Sequence, residues 1–325
     1  MNSASDFSIN LNKNEILISI EKTKEYKANG VTIHKWENSD LFSSSINLNN
    51  IHFLGILNQR LEKEGYALFS YINEEKYFGN FSQDLRSRHG LYSWPSIINN
   101  NIRKTEFFWG TWKNNLKDGK GIYLWLKEPE NIKMFSDFEN CDLDSYVGLI
   151  NNDNFTKGAY LIKRNNNFYV YYGNFNNQGK KDDNECYYYN ATKDKIYYGK
   201  VKNDKFISGY ITNFNEDGYI VDLLKIDFDE NNKVKSYIQE DEIEENLKEK
   251  IKKNIFECRN ILLNEDHFGD IFNAFKNIIE YRDNKMNDIK VLESNDDYPD
   301  IMNRLTKYND IKLFSQLSSN LVKLE

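Results

Sequence analysis

Residues 106–126 read EFFWGTWKNNLKDGKGIYLWL. Gly110 sits inside an aromatic run, two residues from both Phe108 and Trp112. Strand side chains alternate faces, so Phe108, Gly110 and Trp112 share one face of a strand. The glycine then leaves a hole between two bulky neighbours. A ring from the adjacent strand is expected to fill it, as aromatics do over strand glycines. KNNLKDG reads as a polar turn, and Gly119 and Gly121 lead into a second aromatic strand.

The same unit recurs. Aromatic or apolar, spacer, glycine, spacer and apolar residue appear as Phe53-Leu-Gly55-Ile-Leu57, Tyr77-Phe-Gly79-Asn-Phe81 and Phe108-Trp-Gly110-Thr-Trp112. Three more copies are Tyr146-Val-Gly148-Leu-Ile150, Tyr171-Tyr-Gly173-Asn-Phe175 and Tyr197-Tyr-Gly199-Lys-Val201. A second glycine follows ten or eleven residues later at Gly65, Gly90, Gly121, Gly158 and Gly209, and Asn184 takes that place after Gly173. Each unit reads as a β-hairpin, with the second glycine at the turn exit in left-handed geometry. The long connections SIINNNIRKTE and EPENIKMFSDFENCDLD read as loops along one edge.

This pattern resembles the MORN repeat (membrane occupation and recognition nexus) over residues 51–212. The match is best at Tyr77, Phe108, Tyr171 and Tyr197, and the full Gly-x-Gly stands only at Gly119 and Gly121. The resemblance implies an elongated antiparallel sheet of stacked hairpins. The fold class is therefore mainly β with α: a hairpin-repeat sheet followed by a C-terminal helical region. The division expected is a tail over 1–12, a degenerate capping hairpin over 13–50, the repeat sheet over 51–238 and helices over 239–325. Within the capping unit, EILISIEK and GVTIHKW are expected to pair.

The residue before each glycine is also bulky. Phe78, Trp109, Tyr172 and Tyr198 face the opposite side of the sheet. A sheet with aromatics on both faces wants both covered, by the chain's own helices or by a partner. Downstream the period changes to four: Ile243, Leu247, Ile251 and Ile255 mark one amphipathic helix. Phe268, Ile271, Phe272, Phe275, Ile278 and Ile279 mark a second, and Ile301 to Leu321 a third that starts near Pro299. Phe272 and Phe275, with the four spacer aromatics, are the candidate partner-binding residues.

The chain has 325 residues, with 15% aromatics and a formal net charge of -7, which speaks against disorder and against nucleic-acid binding over its whole surface. Cys141, Cys186 and Cys258 make neither a disulfide framework nor a zinc spacing, and suggest a reducing compartment. The first residues carry no signal pattern, and no apolar run has the length of a membrane span. Asp227, Asp229 and Asn231 imitate the start of a calcium loop. Asn232 and Ile238 fall where that loop needs Gly and Glu, so a turn is the better reading. The four histidines are isolated, and no nucleotide or nucleophile motif appears. No catalytic residue, cofactor or metal is expected.

The resemblance implies a cytoplasmic, non-enzymatic scaffold that binds other proteins of a larger assembly. Some members of the family build radial-spoke heads, which points to a cilium axoneme or the cytoskeleton. A membrane or phosphoinositide adaptor is the alternative, disfavoured by the acidic balance.

Overall fold

The fold is seen in a computed structural model of the chain. It describes residues 13–35, 40–48, 51–165, 167–215 and 217–262, and further on 269, 272–273, 275–277, 279–280 and 282–283. The tail, Trp36, His267, Pro299 and the third helical region lie outside these residues, as does the side chain of Cys258.

After a helix α1 (Lys13–Thr23) the described residues form eighteen strands. They are β1 (Glu25–Ala28), β2 (Val31–Lys35), β3 (Phe42–Leu48), β4 (Ile51–Leu57), β5 (Lys63–Ser70) and β6 (Lys76–Ser82). Next come β7 (Leu85–Ser93), β8 (Ile97–Asn99), β9 (Ile102–Lys113), β10 (Leu116–Pro129), β11 (Asp142–Asn151) and β12 (Asn154–Arg164). The last are β13 (Asn167–Asn174), β14 (Asp183–Asn190), β15 (Lys195–Lys202), β16 (Lys205–Phe214), β17 (Ile220–Phe228) and β18 (Val234–Ile238). A helix α2 (Glu245–Leu262) and helical residues between 269 and 283 follow.

All eighteen strands belong to one antiparallel sheet, and each strand pairs with its neighbours in the chain. One local exception occurs: β9 pairs with β7 through residues 107–112 and with β8 through residues 102–104. The SIINNNIRKTE connection is thus a hairpin extension of the sheet instead of a loop.

EILISIEK is not a strand. It forms α1, because Ile16 and Ile20 stand four apart and bury together against Val31, Ile33 and Phe42. The hairpin partner of β2 is β1, joined through Asn29 and Gly30 at φ 49° and 78°. An Asn-Gly pair with both φ positive is the favoured two-residue hairpin turn.

The repeat glycines form a single lane across the sheet. Ser44, Gly55, Ala67, Gly79, Gly90, Gly110, Gly121, Gly148, Gly158 and Gly173 stand directly opposite one another on successive paired strands. Cys186, Gly199 and Gly209 extend it. Two register positions differ from those the sequence suggests. Ala67, not Gly65, faces Gly55 and Gly79. Cys186, not Asn184, faces Gly199, across an irregularity between Asp183 and Cys186.

Of the second glycines, Gly65 has the expected left-handed φ of 69°, whereas Gly90, Gly121, Gly158 and Gly209 lie within strands without it. Left-handed geometry is carried by polar pairs at the turns: Gln83-Asp84, Asn114-Asn115, Asn152-Asp153 and Asn203-Asp204. Asn and Asp tolerate that conformation because their side chains bond the local backbone.

The lane is filled from within each strand, not from the adjacent one. The aromatic two residues before each first glycine folds over it. The Tyr77 ring covers Gly79 and Gly90, Phe108 covers Gly110 and Gly121, and Tyr146 covers Gly148 and Gly158. Tyr171 and Tyr197 do the same at Gly173 and Gly199. Every tyrosine of the series then donates its hydroxyl to the carbonyl just past its glycine. The acceptors are Asn80, Leu149, Asn174 and Lys200, at 2.9, 2.6, 2.8 and 2.8 Å. In three of these copies the ladder shifts register within two residues after the glycine. A bulge takes a residue out of the regular ladder, and the hydroxyl bonds its carbonyl in place of a strand donor.

Tyr146 also donates to the Lys157 carbonyl at 3.0 Å. Tyr146→Phe keeps the ring over the lane and removes a donor from two carbonyls. The expected loss is about 1–2 kcal/mol, read from the urea midpoint. An unchanged midpoint would show that the hydroxyl is not holding the bulge.

Candidate partner-docking surface

The sheet has two faces, defined by the lane. The face away from the lane holds Phe78, Trp109 and Tyr172, all buried in one cluster with Leu91, Phe107, Ile122 and Leu161. Tyr198 packs at its edge, stacked on Tyr187 at 4.9 Å. The chain itself covers this face. Ile243, Ile251 and Ile255 of the α2 region join the cluster, whereas Leu247, expected on the same stripe, is exposed. Phe272, Phe275 and Ile279 join it too. Phe275 packs on Phe107 at 5.8 Å, and Phe272 on Phe135 and Phe138 at 5.1 and 5.2 Å. Five of the six candidate partner-binding residues therefore sit in the chain's own core, and Tyr198 is half-buried at its edge.

Charged groups pin the covering elements. Arg259 of α2 grips Asp194 with two bonds of 3.1 and 2.6 Å and lies 4.5 Å over the Phe214 ring. Arg282, 4% exposed, donates to the Ser93 hydroxyl at 2.6 Å and pairs with Asp283. The segment 130–141, expected as an edge loop, is part of this core through Phe135 and Cys141. Buried Lys163 donates to the carbonyls of Glu139 and Cys141, and buried Glu128 accepts the Phe135 N–H at 2.7 Å. Burial raises the Glu128 carboxyl above its usual range, against the Phe135 N–H and the Arg103 charge. Burial also lifts the Cys141 and Cys186 thiols to about 11 and about 12, so neither is a thiolate at neutral pH.

The lane face carries two periodic rows that the sequence reading missed. The first is cationic. Lys63 lies 5.5 Å over Phe69, Arg86 4.8 Å over Trp112, Lys117 5.6 Å over Trp94 and Lys181 5.4 Å over Tyr171. Each is held by a turn of the next hairpin. The Oδ1 atoms of Asp84, Asn115, Asp153 and Asp204 accept from the backbone N–H of Lys63, Arg86, Lys117 and Lys181, at 2.8 to 3.0 Å. The same four turn residues donate their own N–H back to those residues' carbonyls. This reciprocal pair locks one hairpin to the next. Its trace in the sequence is a basic residue four before the lane residue, seen at Lys63, Arg86 and Lys117.

The second row runs along the rim, four residues from the lane. Trp94, Glu106, Trp125 and Asp144 lie across neighbouring strands. Trp125 is paired with Glu106 on one side and Asp144 on the other, and the Trp94 N–H bonds the Glu106 carbonyl. Tyr71 and Glu75 continue it, joined through the Tyr71 N–H and the Glu75 carbonyl. Aromatic and carboxylate alternate over six strands. Trp94, Tyr123 and Trp125 form a stack, with ring centroids 5.4 and 4.3 Å apart. Glu106 is exposed, and both tryptophans are half-buried.

A family model for the MORN repeat matches residues 77–96 and 110–125, the two units whose glycines face each other across β7 and β9. The chain carries MORN repeats. Comparison with curated proteins gives no match for the chain. The two matched stretches include Trp94 and Trp125, and Glu106 lies between them.

The remaining candidates resolve as structure. Asp229 Oδ1 accepts from the N–H groups of Asn231 and Lys233, which makes the calcium-like stretch a turn between β17 and β18. His89 lies in β7 opposite Thr111, not in a turn. Among the described residues no group of three His, Cys, Asp or Glu side chains is placed to hold a metal. No helix among them is long and apolar enough to cross a membrane.

Proposed function

We propose that the protein is a non-enzymatic scaffold that docks partner proteins through the lane face of its MORN sheet, as a structural component of a cytoskeletal assembly such as the cilium axoneme. The rim row carries this reading. Half-buried tryptophans on either side of the exposed Glu106 carboxylate combine large contact area with polar selectivity, the make-up of interface hot spots. On the opposite face Phe78, Trp109 and Tyr172 are covered by the chain's own helices, whereas at the rim of the lane face Trp94 and Trp125 stay partly exposed. The carboxylates of the row disfavour an anionic lipid surface as its ligand.

The test is localisation of the tagged full chain. The wild type is expected on the axoneme or another cytoskeletal structure. Trp125→Ala and Glu106→Lys are expected to fold and to lose at least ten-fold of that retention. Diffuse wild-type protein, or full retention of both variants, would overturn the proposal. Glu106→Lys guards against a folding artefact, because Glu106 is exposed.

A further inference from the structure

The two ends of the sheet are finished differently. At the first end β1 has four residues, and α1 packs beside it. The hydroxyls of Ser19 and Thr23 donate to the Glu25 carbonyl at 3.0 and 2.6 Å. That edge is short and partly covered, a usual defence against strand addition. At the other end, all five residues of β18 are exposed, and among the described residues β18 pairs only with β17. Its apolar side chains stand in solvent, Tyr237 at 64% and Val234 at 54%. Tyr219 and Val221, at the start of β17, are exposed as well. An open strand with exposed apolar residues is a template for another strand.

The sequence of this edge matches itself in reverse. Reading VKSYI antiparallel about Ser236 places Val234 opposite Ile238 and Lys235 opposite Tyr237, with Ser236 on the axis. Aliphatic meets aliphatic, cation meets ring, and small meets small, all favourable cross-strand pairs. Lys233 and Lys235 lie at the start of the strand, and Asp241 and Glu242 lie just beyond its end, all four exposed. Antiparallel self-pairing brings Lys233 of one copy diagonal to Asp241 of the other, while Glu242 falls opposite Glu230.

We propose that β18 pairs antiparallel with β18 of a second copy of this chain, about a two-fold axis at Ser236. The product is one continuous sheet with a covered β1 edge at each far end. An isologous contact of this kind closes after two copies, so it gives a dimer and not a filament.

Sedimentation of the full chain over a concentration series tests this. The wild type is expected to reach twice the chain mass, with amide exchange at 234–238 slowing as the dimer forms. Ser236→Glu and Ser236→Lys each place two like charges opposite one another at the axis, and each is expected to weaken the dimer several-fold or more. An equimolar mixture of the two is expected to restore it. That mixing arm separates loss of the contact from loss of the fold. A wild type that stays monomeric at every concentration overturns the proposal. So does a dimer indifferent to both substitutions, or a mixture that fails to recover.

Discussion

Gly110→Val is expected to destabilise the sheet by about 3 kcal/mol or more, since overpacking a tight site typically costs 1–3 and here the obstacle is backbone. A Cβ at Gly110 would lie 2.6 Å from the Gly121 Cα, 2.6 Å from the Lys120 carbonyl oxygen and 2.7 Å from the Phe108 ring. Two of those atoms are main chain of the paired strand and cannot turn aside. Phe108 is fully buried, and its ring already covers both glycines. A valine must therefore push β9 and β10 apart or expel the ring, and either breaks the lane at its centre. The melting temperature is expected to fall by roughly 4 °C or more at this size. Gly110→Ala should show most of the same loss, because the first added carbon makes the clash. If both variants melt with the wild type, the lane is not a packing constraint. The distinction from strand propensity is clear, since propensity alone favours valine over glycine in a strand.

That lane shows what the sequence disclosed and what it concealed. The recurrence of glycine after an aromatic is a period in the chain, and the six glycines it picks out all lie within strands. The offset of ten or eleven residues coincides with the facing pair at Gly79 with Gly90 and Gly110 with Gly121, although the second glycine was read as a turn exit and not as a strand partner. It failed at Ala67 and Cys186. At those positions a small side chain replaces glycine, and the nearby Gly65 and Asn184 attract the eye. α1 was misread because its apolar residues are isoleucines, which suit strands as well as helices, and only the four-residue spacing of Ile16 and Ile20 separates the two. The rim row was beyond reach for another reason. Tyr71, Glu75, Trp94, Glu106, Trp125 and Asp144 lie far apart in the chain, and only strand register makes them neighbours. A residue count from each lane position recovers the row, but the count has meaning only once the glycines are known to face one another.

The same dependence on register governs the second large effect, which concerns the face away from the lane. Phe275→Ala is expected to free the helical residues between 269 and 283 from the sheet. Phe275 is fully buried and packs on Phe107, and removing a buried phenylalanine side chain costs about 3–5 kcal/mol. Among the described residues this segment is also held by Phe272 against Phe135 and Phe138, by Ile279, by the Arg282 bond to Ser93 and by the ion pairs of Asp283 with Lys76 and of Glu280 with Lys133. The sheet is held separately by its ladders and its tyrosine locks. The loss should therefore appear as local opening, not global unfolding. Amide exchange is expected to accelerate across 269–283 and to stay unchanged in β12 to β16, while a hydrophobic dye gains a site. Leu247→Ala, at an exposed position of α2, should do neither. Uniform acceleration through the sheet would mean that the helix is part of one cooperative unit with it. Local opening would mean that Phe107 and Trp109 can be uncovered while the repeats remain folded. The aromatics before each glycine then act as a seat already taken by the chain's own helix, and an outside helix reaches them only by displacing Phe272 and Phe275.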